Sequence, residues 1–300
     1  MTSPVGRFAP SPTGRMHLGV ARTSLAAWLD ARARGGRILL RIEDIDTPRV
    51  VPGADRELQA DLHWLGLDWD GDPTWQSQRE EHYRAALAKL EGLGRVFSCT
   101  CSRKEIAASA PHEGEEGPRY PGTCRDHFQP RDGRTPAIRL RTEVGDVIRH
   151  VDRRYGEVVQ AVHEVVGDFV LRRADGLWAY QLAVTVDDLL QGINSIVRGA
   201  DLLSSTPRQL LLRRLLDPAS PPLETLHVPL VLGPSGERLA KRDQAAAIAA
   251  LRAAGVTAEE VVGRLAASLG LVPVGTRIRP AELVALWQVE RVPLESGLVP

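Results

Sequence analysis

Between residues 5 and 19 the sequence reads VGRFAPSPTGRMHLG, a short apolar run followed by a polar turn and the start of a helix. The run over residues 5–9 predicts a strand, which Pro10 and Pro12 end at once. From residue 18 onward the apolar spacing is helical, and one predicted face carries Leu18, Ala21, Leu25, Ala26 and Leu29. A strand, a turn and a helix in this order predict the first unit of an α/β fold.

The next segments have the pattern of a parallel sheet covered by helices. Gly35 and Gly36 predict the end of the first helix, and the compact apolar run over residues 38–42 suits a buried parallel strand. Two further helical patterns follow over residues 58–65 and 83–90. We therefore predict a parallel α/β core at the beginning of the chain.

Beyond residue 95 the pattern changes and later returns. Residues 99–136 are rich in Cys, Pro, Gly and charge, which predicts an insertion with little regular structure. The α/β pattern resumes over residues 195–232, where Thr206 and Pro207 predict the start of a helix and residues 227–232 predict a strand. The chain after residue 243 is Ala- and Leu-rich, which predicts helices.

Composition excludes several classes of protein. The chain has 300 residues and balanced charge, with 38 basic and 38 acidic side chains, so no overall field drives binding to nucleic acid. No apolar run approaches the ~18 residues of a membrane span, and the first motif leaves no room for a signal peptide. Three cysteines cannot form a disulfide framework. We expect a cytoplasmic protein with no membrane partner, and a monomer.

The turn before the first helix has the layout of a phosphate site, since free N–H groups and the helix dipole face it. His17 can donate a hydrogen bond to a phosphate there, and Gly19 allows a nucleotide close to the backbone. The turn has neither GxGxxG nor GxxxxGK[ST], which argues against a dinucleotide fold and a P-loop. The alternative is an ordinary helix cap with an incidental histidine.

A second candidate is the basic loop GPSGERLAKR over residues 233–242. Its Lys241 is one of only three lysines in an arginine-rich chain, and an ammonium is a compact charge that can follow phosphates. The alternative is a solvated surface loop. Taken together, the turn and the loop favour a nucleotide site that contains His17, Gly19 and Lys241.

These motifs resemble those of class I glutamyl-tRNA synthetases. Residues 6–19 are similar to the HIGH motif of that family, and residues 238–242 to its KMSKS loop. Residues 41–46, 75–77 and 196–201 also match in the same order. Two positions depart from the pattern: Val20 replaces the last histidine of HIGH and Ala240 replaces a serine of KMSKS, which we expect to affect the rate.

The resemblance implies a glutamate pocket. It assigns Glu43 and Tyr180 to the amino group of the substrate, and Arg7 and Arg198 to its side-chain carboxylate. Guanidinium groups suit this last role because they grip carboxylates bidentately. The full set it implies is Arg7, Phe8, Ala9, Pro10, Ser11, Glu43, Tyr180 and Arg198. The alternatives are a surface carboxylate paired with Arg41 for Glu43, and core packing for Tyr180.

The three cysteines are candidates for a zinc site, because Cys99, Cys101 and Cys124 offer thiolates to an ion that takes four tetrahedral ligands. The spacing of Tyr120 and Cys124 resembles a truncated branch of the family, the glutamyl-queuosine tRNA(Asp) synthetases, in which the tyrosine is the fourth ligand. His112 and His127 are rival ligands. The alternative is three reduced structural cysteines without metal.

This branch implies the activity: ATP with Mg²⁺ activates L-glutamate without tRNA, and glutamate is then transferred to queuosine in the anticodon loop of tRNA(Asp). Only some sixty residues follow Lys241, whereas ordinary glutamyl-tRNA synthetases carry a long anticodon-reading domain. An arginine-rich stretch over residues 131–154 is a candidate for RNA phosphates, although acidic residues alternate with it as on a solvated face. The rivals are a reduced synthetase that charges a tRNA 3′ end, and an inactive binding paralogue.

The predicted fold is thus a class I synthetase-type, Rossmann-like α/β sheet. We divide it into a first half of the nucleotide-binding core over residues 1–98, an inserted acceptor and structural-zinc subdomain over 99–185, a second half with the KMSKS-like loop over 186–242, and a helical segment over 243–300.

Overall fold

The computed structural model describes residues 3–109, 113–114, 117–128, 130–232, 247–295 and 297. The strands are β1 (Val5–Phe8), β2 (Arg37–Ile42), β3 (Thr74–Trp75), β4 (Val96–Cys99), β5 (Glu113–Gly114), β6 (Gly117–Pro118), β7 (Ala137–Leu140), β8 (Val147–Asp152), β9 (Gly156–Ala161), β10 (Val170–Arg172), β11 (Ser195–Gly199) and β12 (Glu224–Val228). The helices are α1 (Leu18–Ala33), α2 (Ala54–Trp64), α3 (Glu80–Gly92), α4 (Arg103–Ser109), α5 (Val162–Val165), α6 (Tyr180–Leu190), α7 (Thr206–Leu216), α8 (Ile248–Ala253), α9 (Ala258–Ser268) and α10 (Pro280–Leu283).

The predicted Rossmann-like parallel sheet is confirmed. Strand β1 pairs in parallel with β2, which pairs in parallel with β3. On the other side of β1, the Asn194 backbone N–H donates to the Val5 carbonyl (3.1 Å) and the Asn194 side chain accepts from the Val5 N–H (2.7 Å). Asn194 directly precedes β11, which pairs in parallel with β12, and β12 is followed by β8 and β9. The two halves of the sheet therefore meet at the start of β1.

Two apolar cores flank the sheet. The first packs α1 and α9 with β1 and β2, and its fully buried side chains include Leu25, Leu29, Ile38, Leu40 and Leu265. The second joins α3, α6 and α7 to the antiparallel sheet β10-β7-β4, around Tyr83, Leu140, Leu182 and Leu211. The helix α6 belongs to this second core, and its first residue is Tyr180.

Two predicted segments differ from the structure in part. The segment 99–136 contains the helix α4, which Ser102 and Glu105 cap reciprocally: Ser102 Oγ accepts from the Glu105 N–H at 3.2 Å, and Glu105 accepts from the Ser102 N–H at 2.7 Å. The strand predicted over residues 227–232 is β12, which begins at Glu224 and ends before Pro229. Proline has no N–H for the ladder, so pairing stops there.

Within the described residues, no helix is long and apolar enough to cross a membrane.

Candidate active site

A cleft of about 530 Å³ opens at the carboxyl ends of the central parallel strands, where ligands bind in open α/β sheets. Its wall is formed by the turn after β1, the residue after β2, the first residue of α6 and the end of β11. The predicted residues that line it are Arg7, Phe8, Ala9, Pro10, Ser11, His17, Gly19, Glu43, Tyr180 and Arg198. Val20 also lines it, whereas Ala240 and Lys241 lie outside the described residues.

His17 is both the cap of α1 and a cleft residue. Its Nδ1 accepts from the backbone N–H groups of Gly19 (3.1 Å) and Val20 (3.4 Å). Because an accepting Nδ1 carries no proton, the neutral ring has its proton on Nε2 and can donate it. A Cβ at Gly19 would lie 3.0 Å from the His17 ring, so glycine permits this arrangement. The helix start and the Nε2–H both favour an anion in the cleft.

Behind the cleft, Asp188 of α6 pairs with arginines from two strands. Its Oδ1 lies 3.2 Å from Arg7 Nε and 2.8 Å from Arg41 Nη2. Arg41 Nη2 also donates to Glu43 at 3.3 Å, and Arg41 is fully buried. The pairing of Glu43 with Arg41 therefore exists, but inside the protein and at the wall of the cleft instead of on the surface.

The neighbouring Asp187 anchors this cluster to the second core. It accepts from Gln76 Nε2 at 2.7 Å, Arg79 Nε at 2.6 Å and the Tyr83 hydroxyl at 2.9 Å. Arg41 Nε lies 3.8 Å from the same carboxylate. Of these two consecutive acids on α6, Asp188 contacts the arginines of the cleft wall, and Asp187 contacts residues at the start of α3.

Burial and charge act differently on the two acids of the cleft wall. Burial raises the pKa of Glu43, against the attraction of Arg41 and Arg7. Burial also disfavours ionised Asp188, but Arg41 and Arg7 outweigh it and hold the pKa of Asp188 below its usual value. Asp188 is therefore the permanent anion of the cluster. A further cation in the cleft would favour the ionised form of Glu43 more than that of Asp188.

Arg198 is held by uncharged groups. Its Nε donates to His227 Nε2 at 3.0 Å, its Nη1 to Gln209 at 2.7 Å and its Nη2 to Thr206 at 2.7 Å. The side chain is 4% exposed, and burial lowers the pKa of Arg198, yet a guanidinium stays charged in proteins. Among the residues that the structure describes, no carboxylate lies within hydrogen-bond distance of the Arg198 guanidinium, so an anionic ligand group can pair with its charge.

A second cleft of about 600 Å³ adjoins the first. Ser11, Glu43, Arg49 and Tyr180 line both, and so form the wall between them. The second cleft is further lined by Thr13, Asp46, Gln76, Arg139, Arg173 and Trp178, and it reaches Cys101. A group formed in the first cleft is thus next to a second binding space.

The three cysteines lie together with Tyr120. Their sulfur atoms are within 4.8 Å of one another, with Cys101 and Cys124 3.7 Å apart. The Tyr120 oxygen is 3.4 Å from the Cys99 sulfur and 3.9 Å from that of Cys101. Tetrahedral zinc with ordinary bond lengths needs sulfur–sulfur separations of about 3.8 Å and sulfur–oxygen separations of about 3.5 Å. These four residues therefore have a spacing that fits the ion.

The surroundings also favour a cation at this cluster. Burial and the neighbouring thiols raise the pKa of Cys101 to about 11, so thiolates accumulate here only with a compensating charge. The rival ligand His127 is exposed, and among the described residues the ligand atoms that lie together are those of Cys99, Cys101 and Cys124. The other rival, His112, lies outside the described residues.

Most of the arginine-rich stretch is engaged within the protein. Arg131 and Arg134 pair with Glu105, Arg141 with Asp126, Arg149 with Glu157 and Arg153 with Asp30. Arg139 is buried, with its guanidinium 4.1 Å from the centre of the Tyr120 ring. This favours the paired face over a dedicated phosphate surface.

Sequence reasoning missed Asp187, Asp188, Asp152, His227 and Gln209. For the first two a signal exists: two consecutive acids stand in the otherwise apolar helix sequence YQLAVTVDDLL, and acids are rarely buried there unless paired. The others act through contacts between different strands and helices, which no local sequence pattern reveals.

A cleft at the carboxyl ends of the parallel strands, with a histidine that caps the next helix, is the layout expected of a class I synthetase. Residues 5–277 match the family model described as tRNA synthetases class I (E and Q), catalytic domain. The chain belongs to this class I family of aminoacyl-tRNA-synthetase-like ligases, and within it to the glutamyl-Q tRNA(Asp) synthetases.

The similar proteins support this membership. The glutamyl-Q tRNA(Asp) synthetase of Symbiobacterium thermophilum is 48% identical over 312 residues, which cover 98% of this chain and 95% of that protein. The one from Nocardia farcinica is 49% identical over 98% of this chain and 92% of its own length. A glutamate tRNA ligase from Elizabethkingia meningosepticum, solved in complex with its amino acid, superposes with a TM-score of 0.83 at 25% identity, over 100% of this chain and 67% of that one.

Asp187→Ala should destabilise the fold strongly, because it removes the carboxylate that balances the positive charges of Arg79 and Arg41. We expect a loss of about 3–5 kcal/mol in the free energy of unfolding, measured by urea denaturation. The control is Asp175→Ala, which removes an exposed carboxylate 2.6 Å from Arg173 and should cost less than about 1 kcal/mol. Equal losses in the two variants would contradict the anchoring role of Asp187.

Proposed function

We propose that this protein activates L-glutamate with ATP and transfers the glutamyl group to queuosine in the anticodon loop of tRNA(Asp). In the first step, a glutamate α-carboxylate oxygen attacks the α-phosphorus of ATP, and pyrophosphate leaves. In the second, a hydroxyl of the acceptor attacks the glutamyl carbonyl and loses its proton to solvent, and AMP leaves with the electrons of the acyl–phosphate bond. The observation that carries the proposal is the assembly of all the predicted glutamate residues around one cleft.

The charges of the cleft suit glutamate. Arg198, held by neutral groups, pairs with the side-chain carboxylate together with Arg7. Glu43 faces the amino group, whose positive charge favours the ionised form of this buried acid. Tyr180 lies at the same wall. Glutamine carries no charge at its amide, so it would leave the charge of Arg198 without a partner.

ATP binds on the α1 side of the cleft in this proposal. The Nε2–H of His17 donates to a phosphate at the helix start, and Gly19 keeps the backbone accessible. Lys241, in the loop that resembles KMSKS, neutralises charge as pyrophosphate forms. Mg²⁺ accompanies the phosphates, as it commonly does with nucleotides.

The acceptor enters through the second cleft. The wall that the two clefts share at Ser11 and Tyr180 supports this route, because the second cleft borders the space in which the carboxyl group would be activated. In the proposed domain organisation, the core that activates glutamate consists of residues 1–98 and 186–242. The acceptor subdomain is 99–185, and residues 243–300 support the core. The names of the similar proteins from Symbiobacterium and Nocardia support tRNA(Asp) as the acceptor.

Zinc is structural in this proposal. Cys99, Cys101, Cys124 and Tyr120 fill four positions, whereas a catalytic zinc keeps one position open. The ion would supply the charge that keeps the thiols ionised and would fix the segment that borders the second cleft.

The first expected outcome is that activation needs no RNA. The charged residues of the first cleft are positioned by one another and by α6, so purified protein with ATP, Mg²⁺ and L-glutamate should exchange labelled pyrophosphate into ATP. L-glutamine is the matched control and should give little exchange. Exchange that begins only when tRNA is added would contradict the proposal.

The second expected outcome concerns the acceptor. Labelled glutamate should attach to tRNA(Asp) that contains queuosine and not to the same tRNA with guanosine at that position. Nuclease cleavage into anticodon and 3′ fragments should locate the label in the anticodon fragment. Label on the 3′ end would instead identify a reduced synthetase. Pyrophosphate exchange without any transfer of label would show that this tRNA is not the acceptor.

The third expected outcome separates the metal from the chemistry. Purified protein should contain about one zinc per chain on the ligand count, and Cys101→Ser should lower this content and speed proteolysis between residues 99 and 124. RNA transfer should fall more than pyrophosphate exchange, since the cluster borders the second cleft. The control is Ser109→Ala at the end of α4, outside the cluster. If folded Cys101→Ser protein lost exchange completely, the structural assignment would be wrong.

A further inference from the structure

Three buried side chains form a line from the first cleft into the sheet. Arg198 on β11 donates through Nε to His227 Nε2 on β12 at 3.0 Å. His227 Nδ1 lies 2.6 Å from Asp152 Oδ2, at the end of β8. Arg198 and His227 are partners in the parallel register of β11 and β12, and the His227 and Asp152 side chains are fully buried. The line therefore runs across three neighbouring strands.

The Asp152 carboxylate at one end of this line and the Arg198 N–H at the other determine which ring nitrogen of His227 carries the proton. Burial opposes the charge of Asp152, but His227 and the N–H groups of Tyr155 and Arg154 lower the pKa of Asp152 to about 2. An ionised carboxylate only accepts, so His227 Nδ1 must be its donor. Burial lowers the pKa of His227 and keeps the ring neutral. Its Nε2 then carries a lone pair, which is what Arg198 Nε–H requires.

We propose that Asp152 and His227 are positioning residues that orient Arg198 toward the side-chain carboxylate of glutamate, by holding His227 in the Nδ1–H tautomer. This inference rests on the proposed role of Arg198 in glutamate selection. In the other tautomer, Nε2–H would face the Nε–H of Arg198 at the same 3.0 Å. Two donors cannot bond to each other, so the guanidinium would turn away from its present direction.

Asp152→Asn is the sharpest test because it preserves shape. Asp152 Oδ1 accepts from the backbone N–H groups of Arg154 and Tyr155, each at 3.0 Å. An amide oxygen can keep those bonds, and its NH₂ group then faces His227 Nδ1 and favours the wrong tautomer. We expect the KM for glutamate in pyrophosphate exchange to rise about tenfold to hundredfold, the loss typical of a hydrogen bond to a charged group. The KM for ATP should change less than about twofold, since His17 is untouched.

A second variant separates orientation from packing. His227→Gln offers Arg198 an amide oxygen that has no tautomer, so adding His227→Gln to Asp152→Asn should lower the glutamate KM relative to Asp152→Asn alone. If Asp152 and His227 only supported packing, the effects of the two substitutions on the glutamate KM would add, and the double variant would have a higher KM than Asp152→Asn. The matched control is Asp146→Asn, which alters a buried acid just before β8 that pairs with Arg95 and Arg214; it should leave the glutamate KM unchanged.

A spectroscopic readout does not depend on activity. ¹⁵N chemical shifts of the His227 ring should show Nδ1–H in the unmodified protein and Nε2–H in Asp152→Asn. An Nε2–H tautomer in the unmodified protein overturns the proposal, and so does an unchanged glutamate KM in Asp152→Asn while Arg198→Ala raises it. If Arg198→Ala itself leaves glutamate affinity unchanged, the glutamate pocket is wrong and the positioning role falls with it.

Discussion

The pairing of Arg41 and Arg7 with Asp188 is the contact on which the cleft depends. Arg41 is fully buried, and a buried guanidinium without an anion would cost several kcal/mol. Its partners are Glu43, the residue after β2, and Asp188 of α6, whereas Arg7 comes from β1. The cleft charges can therefore be satisfied only when the parallel sheet and α6 have docked. Folding and site assembly are the same event for these residues.

The two arginines assigned to glutamate differ in a way that suits their roles. Arg7 has a permanent anion in contact, so its direction and its charge are both balanced within the protein. Arg198 is directed by His227, Gln209 and Thr206, which fix its position but leave its charge to the ligand. In the proposed glutamate pocket, Arg7 therefore shapes the wall, and Arg198 provides most of the attraction for a carboxylate.

Local signals in the sequence predicted much of this arrangement. The strand, turn and helix at β1 and α1 follow from apolar spacing. The glutamate residues were assigned from the family resemblance instead, and every one of them lines the first cleft. The capped helix α4 also had a local signal, Ser102 with Glu105 three residues later, which was overlooked. Asp152 and His227 had none, because they are 75 residues apart and are brought together by strand register. Such contacts become visible only once the order of the strands is known.

The two clefts are held by different parts of the molecule, so the proposed activation and transfer steps can depend on separate interactions. Asp188 and Arg41 stabilise the first cleft from α6 and β2. The second is bordered by Arg139, whose guanidinium stacks on Tyr120 and donates to the Asp168 carbonyl at 3.1 Å. The Tyr120 hydroxyl in turn accepts from the Cys124 N–H at 2.7 Å. Disorder at the cysteine cluster would thus reach the second cleft through Tyr120 and Arg139, while the contacts of Asp188 stay intact. Tyr180 lines both clefts.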